Sequence, residues 1–302
     1  MPVRPWLVPA LLISAALAAA LAAGLGLPWI HAYDEPILGP GELPPAPPGP
    51  GRWLGTDALG RDLLSRLLAG AATSLSVALA AQGVALAVGL GIGSTAGYLG
   101  GRTDALLMRI TDLFLALPAP LVLIAVMAAV PEPRDLPLLG GVGEPALVLC
   151  FLVLGLLGWG ETARVTRAGV LEARRREFSD AARAAGAGPW RLLGSHLIPH
   201  ALGPVWILAS SGVASNILAE AWLAFLGIGV RPPRPSWGAM IYEGTPFLLT
   251  HPRLCLLPGL ALTLTSLGFH LLGDRLRERA SPGGDAHAVA LFGSGTGPIE
   301  ET

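Results

Sequence analysis

The sequence predicts an all-α integral membrane protein with six transmembrane helices, and two observations carry this prediction. Of its 302 residues, 52% are hydrophobic and only 14% are charged, with a mean hydropathy of +0.60. That composition is too apolar for a soluble domain of this length. Apolar runs also recur along the chain, and several reach the roughly 20 residues that a helix needs to cross a hydrocarbon core of about 30 Å.

The predicted spans follow from these runs in chain order. They occupy residues 7–27, 71–101, 113–130, 145–160, 201–230 and 254–273. The first run could instead be a signal peptide, although it is longer than a typical apolar signal core. The third run contains Pro118 and Pro120, so we expect a kinked span whose broken backbone bonds are covered by neighbouring helices.

The segments between and after the spans predict three further features. Residues 36–51 are rich in Pro and Gly, which indicates an extended, partly polyproline II connector outside the membrane. Residues 52–70 place leucines on one side and Arg61, Asp62 and Arg66 on the other, which suggests an interfacial amphipathic helix. Residues 274–302 predict a disordered tail. The chain thus divides into residues 1–70, 71–273 and 274–302.

The charged residues exclude several functions. All 20 basic residues are Arg, because the sequence contains no Lys. The chain therefore cannot itself carry a standard P-loop ATPase site or a Schiff-base lysine. Cys150 and Cys255 lie in apolar runs without metal-ligand spacing, so no metal site is predicted. Basic patches with interleaved aromatic residues are absent from the sequence, so nucleic acid is not an expected partner.

Residues 179–200 form a polar, Arg-bearing segment between two long apolar runs, which places them outside the bilayer. A helix is predicted over residues 170–185, because Gly and Pro are absent and apolar residues recur at helical spacing. Gly186 and Gly188 can end that helix, and Pro189 suits the first position of the next. We interpret this helix–turn–helix as a docking surface. A solvated loop carrying the usual cytoplasmic Arg residues is the alternative.

The same segment resembles a known motif. Asp180-Ala181-Ala182, Gly186 and Ile198-Pro199 are similar to the EAA loop of ABC importer permeases, with Asp in place of Glu and Ile in place of Leu. Three further stretches resemble the dipeptide, oligopeptide and nickel branch of that family. They read GTDALGRDLLSR before the second span, AGYLGGRTD with MRITDLFLALP around the third, and FLGIGV with RPPRPSWG after the fifth. The resemblance covers about residues 52–274.

This resemblance implies a type I ABC importer permease fold in a bacterial plasma membrane. It also implies a heterodimer with a second, related permease subunit, two ATPase subunits at the cytoplasmic face and an extracytoplasmic substrate-binding protein. ATP and Mg²⁺ would bind those ATPase subunits, and no cofactor is expected on this chain. The coupling loop would span residues 165–200. Its expected coupling residues are Phe178, Asp180, Ala181, Ala182, Gly186, Arg191 and Pro199.

Two carboxylates inside predicted spans are candidates for the translocation pathway or a subunit contact. Asp112 lies near Arg109 and could instead sit at the membrane interface, and Glu220 could be a helix-end carboxylate. An ion-gradient-driven transporter that uses Asp112, Glu220 or His270 is the alternative function. A membrane enzyme or scaffold is a further alternative, but the sequence lacks the clustered titratable residues expected of an enzyme. The sequence does not specify the cargo.

Orientation follows from the positions of the arginines. If both termini are cytoplasmic, 13 of the 20 Arg fall on cytoplasmic segments and 7 on outer segments. This asymmetry agrees with the positive-inside rule.

Overall fold

The computed structural model describes residues 6–25, 31–39, 41–130, 145–227, 229–230 and 232–280. Those residues form helices joined by turns. The α-helices are α1 (Leu7–Gly24), α2 (Leu63–Leu99), α3 (Gly101–Ala116), α4 (Ala119–Ala129), α5 (Pro145–Arg174), α6 (Glu177–Ala184), α7 (Pro189–Leu192), α8 (Ile198–Phe225), α9 (Trp237–Gly244) and α10 (Arg253–Ala280). A π-helical turn, Leu193–Leu197, joins α7 to α8.

Four described helices, α2, α5, the α7–α8 unit and α10, are long and apolar enough to cross a membrane. α3 and α4 qualify together but bend by 80° at their junction, and α1 is a shorter apolar helix. The described residues therefore support four spans, or five if the bent pair counts as one. The break at Leu117 and Pro118 confirms the predicted interruption of the third apolar run.

The predicted interfacial helix over residues 52–70 is wrong in its first half. Asp57 accepts hydrogen bonds from the backbone N–H groups of Leu59 and Arg61, which folds residues 57–61 into a turn instead of a helix. The helix begins at Leu63, because Asp62 accepts from the Ser65 N–H at 2.8 Å as an N-cap. From there α2 runs without a break for 37 residues to Leu99.

The segment predicted as an extended spacer, residues 36–51, folds back onto the turn that precedes α2. Ile37 N donates to Gly60 O at 2.9 Å, and Thr56 N donates to Ala46 O at 3.0 Å. Thr56 Oγ1 in turn accepts from Ala46 N at 2.8 Å. The Arg52 guanidinium bonds the Glu42 carboxylate and lowers the pKa of Glu42 to about 2. Residues 31–39 and 41–62 thus fold together into a cap that precedes α2.

Several helices extend past the predicted spans. α5 continues to Arg174 instead of ending at residue 160, and α10 continues to Ala280 instead of ending at residue 273. The first seven residues of the predicted disordered tail are therefore helical. Residues 281–302 lie outside the described residues, as do residues 131–144.

α2 and α5 approach each other along a stripe of glycines. Gly89, Gly93 and Gly97 recur every fourth residue, so they share one face of α2. A Cβ on Gly93 would lie 2.3 Å from the carbonyl oxygen of Ala163 on α5, and a Cβ on Gly89 would lie 2.5 Å from Thr162 Cβ. Small residues of this kind let two membrane helices pack backbone against backbone. The contact holds α5, and the segment after it, against the centre of the fold.

Three apolar clusters surround this pair. One joins α1, α2, α8, α9 and α10 around Trp237 and Ile217. A second joins α2, α4, α5 and α8 around Cys150 and Leu223. The third lies at the end of α5 and supports the segment that precedes α8.

Candidate functional site

The helix predicted over residues 170–185 is broken in the structure. α5 ends at Arg174, where the N–H groups of Arg175 and Arg176 bond carbonyls three residues back. Arg176 then adopts an extended conformation, and α6 begins at Glu177. The local sequence contains no Gly or Pro at this point, so packing of α6 against other elements accounts for the break.

That packing forms a buried base. Val170 and Ala173 of α5 meet Leu192, Leu193 and Leu197, and each of these five side chains is buried. Phe178 and Ala182 of α6 pack against the same cluster. Phe178 also contacts the His200 ring of α8, with ring centroids 4.6 Å apart. Two residues of the predicted coupling set, Phe178 and Ala182, therefore face inward and hold α6 in place.

The turn after α6 is a Schellman motif. Gly186 N donates to Arg183 O and Ala187 N donates to Ala182 O, each at 3.0 Å. Gly186 adopts a φ of +83°, which residues with a side chain rarely take, and nothing lies within 4 Å of the position that a Cβ would occupy. The backbone conformation, not the available space, requires glycine here. Pro189 then occupies the first turn of α7, as the sequence predicts.

The outer face of this helix–turn–helix is exposed. Asp180 and Ala181 project from α6, and Asp180 forms a surface ion pair with Arg183 at 2.9 Å. Arg191 and Pro199 are exposed on the segment that leads into α8. Trp190 is 85% exposed, although sequence reasoning did not include it in the coupling set. A large aromatic side chain in this position is typical of a protein-binding surface.

A second candidate site is a cavity of about 630 Å³ between α2, the α3–α4 bend, α5 and α8. Most of its lining side chains are apolar, such as Phe114, Leu154 and Trp222. Its polar lining residues are Gln82, Glu161, Thr162, Ser211, Ser215 and Asn216. The bend between α3 and α4 opens this space, because Leu117, Ala119 and Pro120 at the bend line it.

Sequence reasoning missed the polar residues of this cavity. Gln82 interrupts the apolar run of α2, and Asn216 Nδ2 donates to Gln82 Oε1 at 3.4 Å. A Cβ on Gly212 would lie 2.2 Å from that same Gln82 oxygen. Glycine at this position of α8 therefore leaves room for the Gln82 amide. The polar side chain of Gln82 within the charge-free run of residues 71–101 was the sequence signal that could have indicated this site. Glu161 comes directly after the predicted fourth span, residues 145–160. A charged residue is expected at the end of a span, so its position did not indicate a functional role.

The structure places neither sequence-predicted pathway carboxylate among the lining residues of the cavity. Asp112 pairs with Arg164 of α5 at 2.6 Å, and both side chains are more than half exposed. One helical turn further along α5, Arg167 Nη2 donates to Asp104 Oδ2 at 2.6 Å. These two pairs join α3 to α5.

Glu220 is completely buried and joins three helices. Its Oε2 accepts from Ser74 Oγ of α2 at 2.9 Å, and the buried Ser236 hydroxyl is a second hydrogen-bonding neighbour. Ser74 Oγ also accepts from Trp237 N at 3.3 Å, while Ser236 caps α9 through Ala239 N. The carboxylate thus lies beside the N-terminus of α9, where the helix dipole favours negative charge.

The described residues thus combine a bundle of apolar helices with a polar-lined cavity and an exposed helix–turn–helix, an arrangement typical of a membrane permease. The comparison with protein families agrees. Residues 89–283 match the model of the binding-protein-dependent transport system inner membrane component. This chain belongs to that family and is a multi-pass permease subunit of an ABC importer.

Curated relatives support the same assignment. The oligopeptide transport system permease protein OppC of Bacillus subtilis (strain 168) is 35% identical over 236 residues, which cover 78% of this chain and 73% of the relative. The nickel transport system permease protein NikC of Escherichia coli (strain K12) is 34% identical over 92% of this chain and 94% of the relative. The di/tripeptide transport system permease protein DppC of Pseudomonas aeruginosa (strain UCBPP-PA14) is 36% identical over 84% and 82%.

Proposed function

We propose that this chain forms half of the translocation pathway of an ATP-driven importer for peptides, nickel or related small solutes. Its other half would be a second, related permease subunit. Two ATPase subunits would bind at the cytoplasmic face with ATP and Mg²⁺, and an extracytoplasmic binding protein would deliver the cargo. The relatives named above act on oligopeptides, nickel and di/tripeptides, which supports this range of cargo.

The observation that carries the proposal is the exposed α6–α7 segment on its buried base. Because Phe178 and Ala182 fix α6 to the ends of α5 and α8, a force applied to α6 reaches two long helices directly. Asp180, Ala181, Gly186, Arg191 and Trp190 would meet the ATPase surface, while Pro199 begins the helix that receives the movement. ATP-driven closure of the ATPases would then reorient the bundle as packed units.

This mechanism requires the docking segment to be cytoplasmic, and the rest of the topology follows. Six crossings, with α3 and α4 counted as one broken span and α1 as the first, place both termini inside. The cap before α2 and helix α9 would then face the outside. Residues 71–273 would form the permease domain, residues 1–70 the first span and cap, and residues 274–302 a cytoplasmic extension that begins as the end of α10.

The pathway itself would pass through the cavity between α2, α5 and α8. Asp112 is the better of the two carboxylates for a subunit contact, since its side chain is 58% exposed. Glu220 would serve the fold near the outer end of the pathway by holding α9.

Uptake by the reconstituted complex tests the proposal. The chain, its sister permease and the ATPases are placed in liposomes with binding protein and labelled cargo. We expect uptake to require ATP and to stop when the catalytic residue of the ATPases is replaced. Uptake that survives that replacement and is abolished by a protonophore would instead indicate an ion-gradient-driven transporter.

A further inference from the structure

The cavity between α2, α5 and α8 contains an unusual charge. Among its described lining residues, the one ionisable side chain is that of Glu161 on α5. The remaining lining groups are apolar, or are amides and hydroxyls without a formal charge. A cleft whose walls carry charge of a single sign concentrates ions of the opposite sign.

Neighbouring charges do not neutralise Glu161. The two arginines that follow on the same helix, Arg164 and Arg167, are paired with Asp112 and Asp104 of α3. Within the described part of the chain, Glu161 itself forms neither an ion pair nor a hydrogen bond, and its side chain is exposed to the cavity. The acidic group is therefore available to a mobile positive charge.

The surrounding polar groups suit the same ligand. Gln82 and Asn216 present amide groups held against each other, and Ser211 and Ser215 add hydroxyl oxygens on the adjacent turns of α8. Neutral oxygens of this kind replace part of the hydration of a cation without repelling it. Glu161 lies in α5, a helix long and apolar enough to cross a membrane, and an unpaired carboxylate in such a helix is costly unless it faces water or a partner, which marks it as functional by default.

We propose that Glu161 makes this cavity selective for cargo that carries a positively charged group, either a peptide ammonium or a divalent metal ion. This inference rests on the proposed function, in which the cavity is the translocation pathway. It restricts the transported cargo to molecules or ions that carry a positive charge. Glu161 stabilises the positive charge during passage, and the amide and hydroxyl oxygens replace part of the water that hydrates it.

Thiol labelling tests the charge selectivity directly. Ser215 is exposed in the cavity, so Ser215→Cys is introduced with Cys150 and Cys255 replaced by Ala. The assembled transporter in nanodiscs is then reacted with a cationic and an anionic methanethiosulfonate of similar size. We expect Glu161→Gln to lower the cation-to-anion ratio of labelling rates about five-fold, as expected for loss of one nearby charge in a partly hydrated site. The control, Glu278→Gln at the exposed end of α10, leaves the ratio unchanged.

An unchanged ratio in the Glu161→Gln protein overturns the proposal, because it shows that the sister subunit or solvent already neutralises Glu161. A transport measurement then tests its relevance. For uptake of trialanine, we expect Glu161→Gln to lower kcat/KM about five-fold and Glu161→Asp to restore most of it. Equal uptake by the wild type and Glu161→Gln also overturns the proposal. If the wild type shows no ATP-dependent uptake of trialanine or Ni²⁺, the proposed function is at fault, and the labelling ratio alone decides the charge selectivity.

Discussion

Arg66 Nη2 donates to Glu243 Oε2 at 2.8 Å, and this contact joins the start of α2 to α9 across 177 residues of sequence. Arg61 donates to the same carboxylate oxygen at 3.0 Å, and both arginines also approach Asp57 Oδ2, at 2.7 and 3.3 Å. Two arginines and two carboxylates thus form a closed ring of alternating charge. The ring fastens the cap before α2 to the short helix that precedes α10.

Removal of either arginine from this ring leaves two carboxylates with only one arginine to balance their charge. The Arg66 side chain is 2% exposed, so we expect Arg66→Met to lower the free energy of unfolding by roughly 3 kcal/mol. Thermal unfolding of the detergent-solubilised protein, followed by Trp fluorescence, measures the loss.

The matched control is Arg275→Met, which breaks an ion pair with Glu278 near the exposed end of α10. An exposed pair at this spacing contributes about 0.5 kcal/mol or less. Equal effects of the two substitutions would show that the ring does not stabilise the cap.

The glycine stripe on α2 makes a second prediction. Because a Cβ on Gly93 would meet backbone atoms of Ala163, the helices must separate to accept Gly93→Ala. We expect a loss of about 1–3 kcal/mol, the usual cost of overpacking. Gly91→Ala, on the same helix, is the control, since nothing lies within 4 Å of the position that its Cβ would occupy. It should leave the melting temperature unchanged or raise it, and a comparable loss there would refute the close-packing explanation.

Sequence reasoning predicted those features that depend on neighbouring residues. Apolar runs indicated the long helices, the prolines indicated the α3–α4 break, and Gly186 with Pro189 indicated the turn in the docking segment. Each of these follows from backbone preferences that act over a few residues. The start of α2 at Leu63 was not predicted, although Asp62 lies three residues before Ser65, the spacing of an N-cap.

Features set by distant partners were not predictable in this way. Arg61 and Arg66 were predicted on the polar side of an amphipathic surface helix, whereas both are buried against Glu243, far along the chain. Likewise, the residues around Arg174 give no signal of the break that follows it. The break allows Phe178 to pack on a base formed by α5, α7, the π-helical turn and α8, most of which follows Phe178 in the chain. Glu161 resembles an ordinary interfacial charge until the bend between α3 and α4 shows the cavity beside it.

Glu220 makes a third prediction, on the mobility of α9. The carboxylate orients Ser74, whose hydroxyl accepts from Trp237 N at the start of that helix. We therefore expect Glu220→Ala to speed backbone hydrogen exchange over Trp237–Gly244, because local opening becomes less costly. Mass spectrometry of the exchanged protein measures this.

Two serine substitutions sharpen that experiment. Ser74→Ala should produce part of the same change, because it removes the link between Glu220 and Trp237. Ser76→Ala is the control, since Ser76 Oγ bonds only the Thr73 carbonyl of its own helix among the described residues. If α9 exchanges at the wild-type rate in the Glu220→Ala protein, the carboxylate does not hold this helix.

The last prediction concerns the turn at Gly186. Because its φ of +83° strains any residue with a Cβ, Gly186→Ala costs about 1–2 kcal/mol in the turn and shifts α7 relative to α6. We expect the protein to reach the membrane at a normal level but to import several-fold less cargo per ATP hydrolysed. Gly188→Ala is the matched control, because Gly188 has an equally open Cβ position and an ordinary φ of −68°. Asn tolerates this conformation better than Ala, so Gly186→Asn should be intermediate. Normal coupling in Gly186→Ala, or equal losses in Gly186→Ala and Gly188→Ala, would show that the shape of this turn does not transmit the movement of the ATPases.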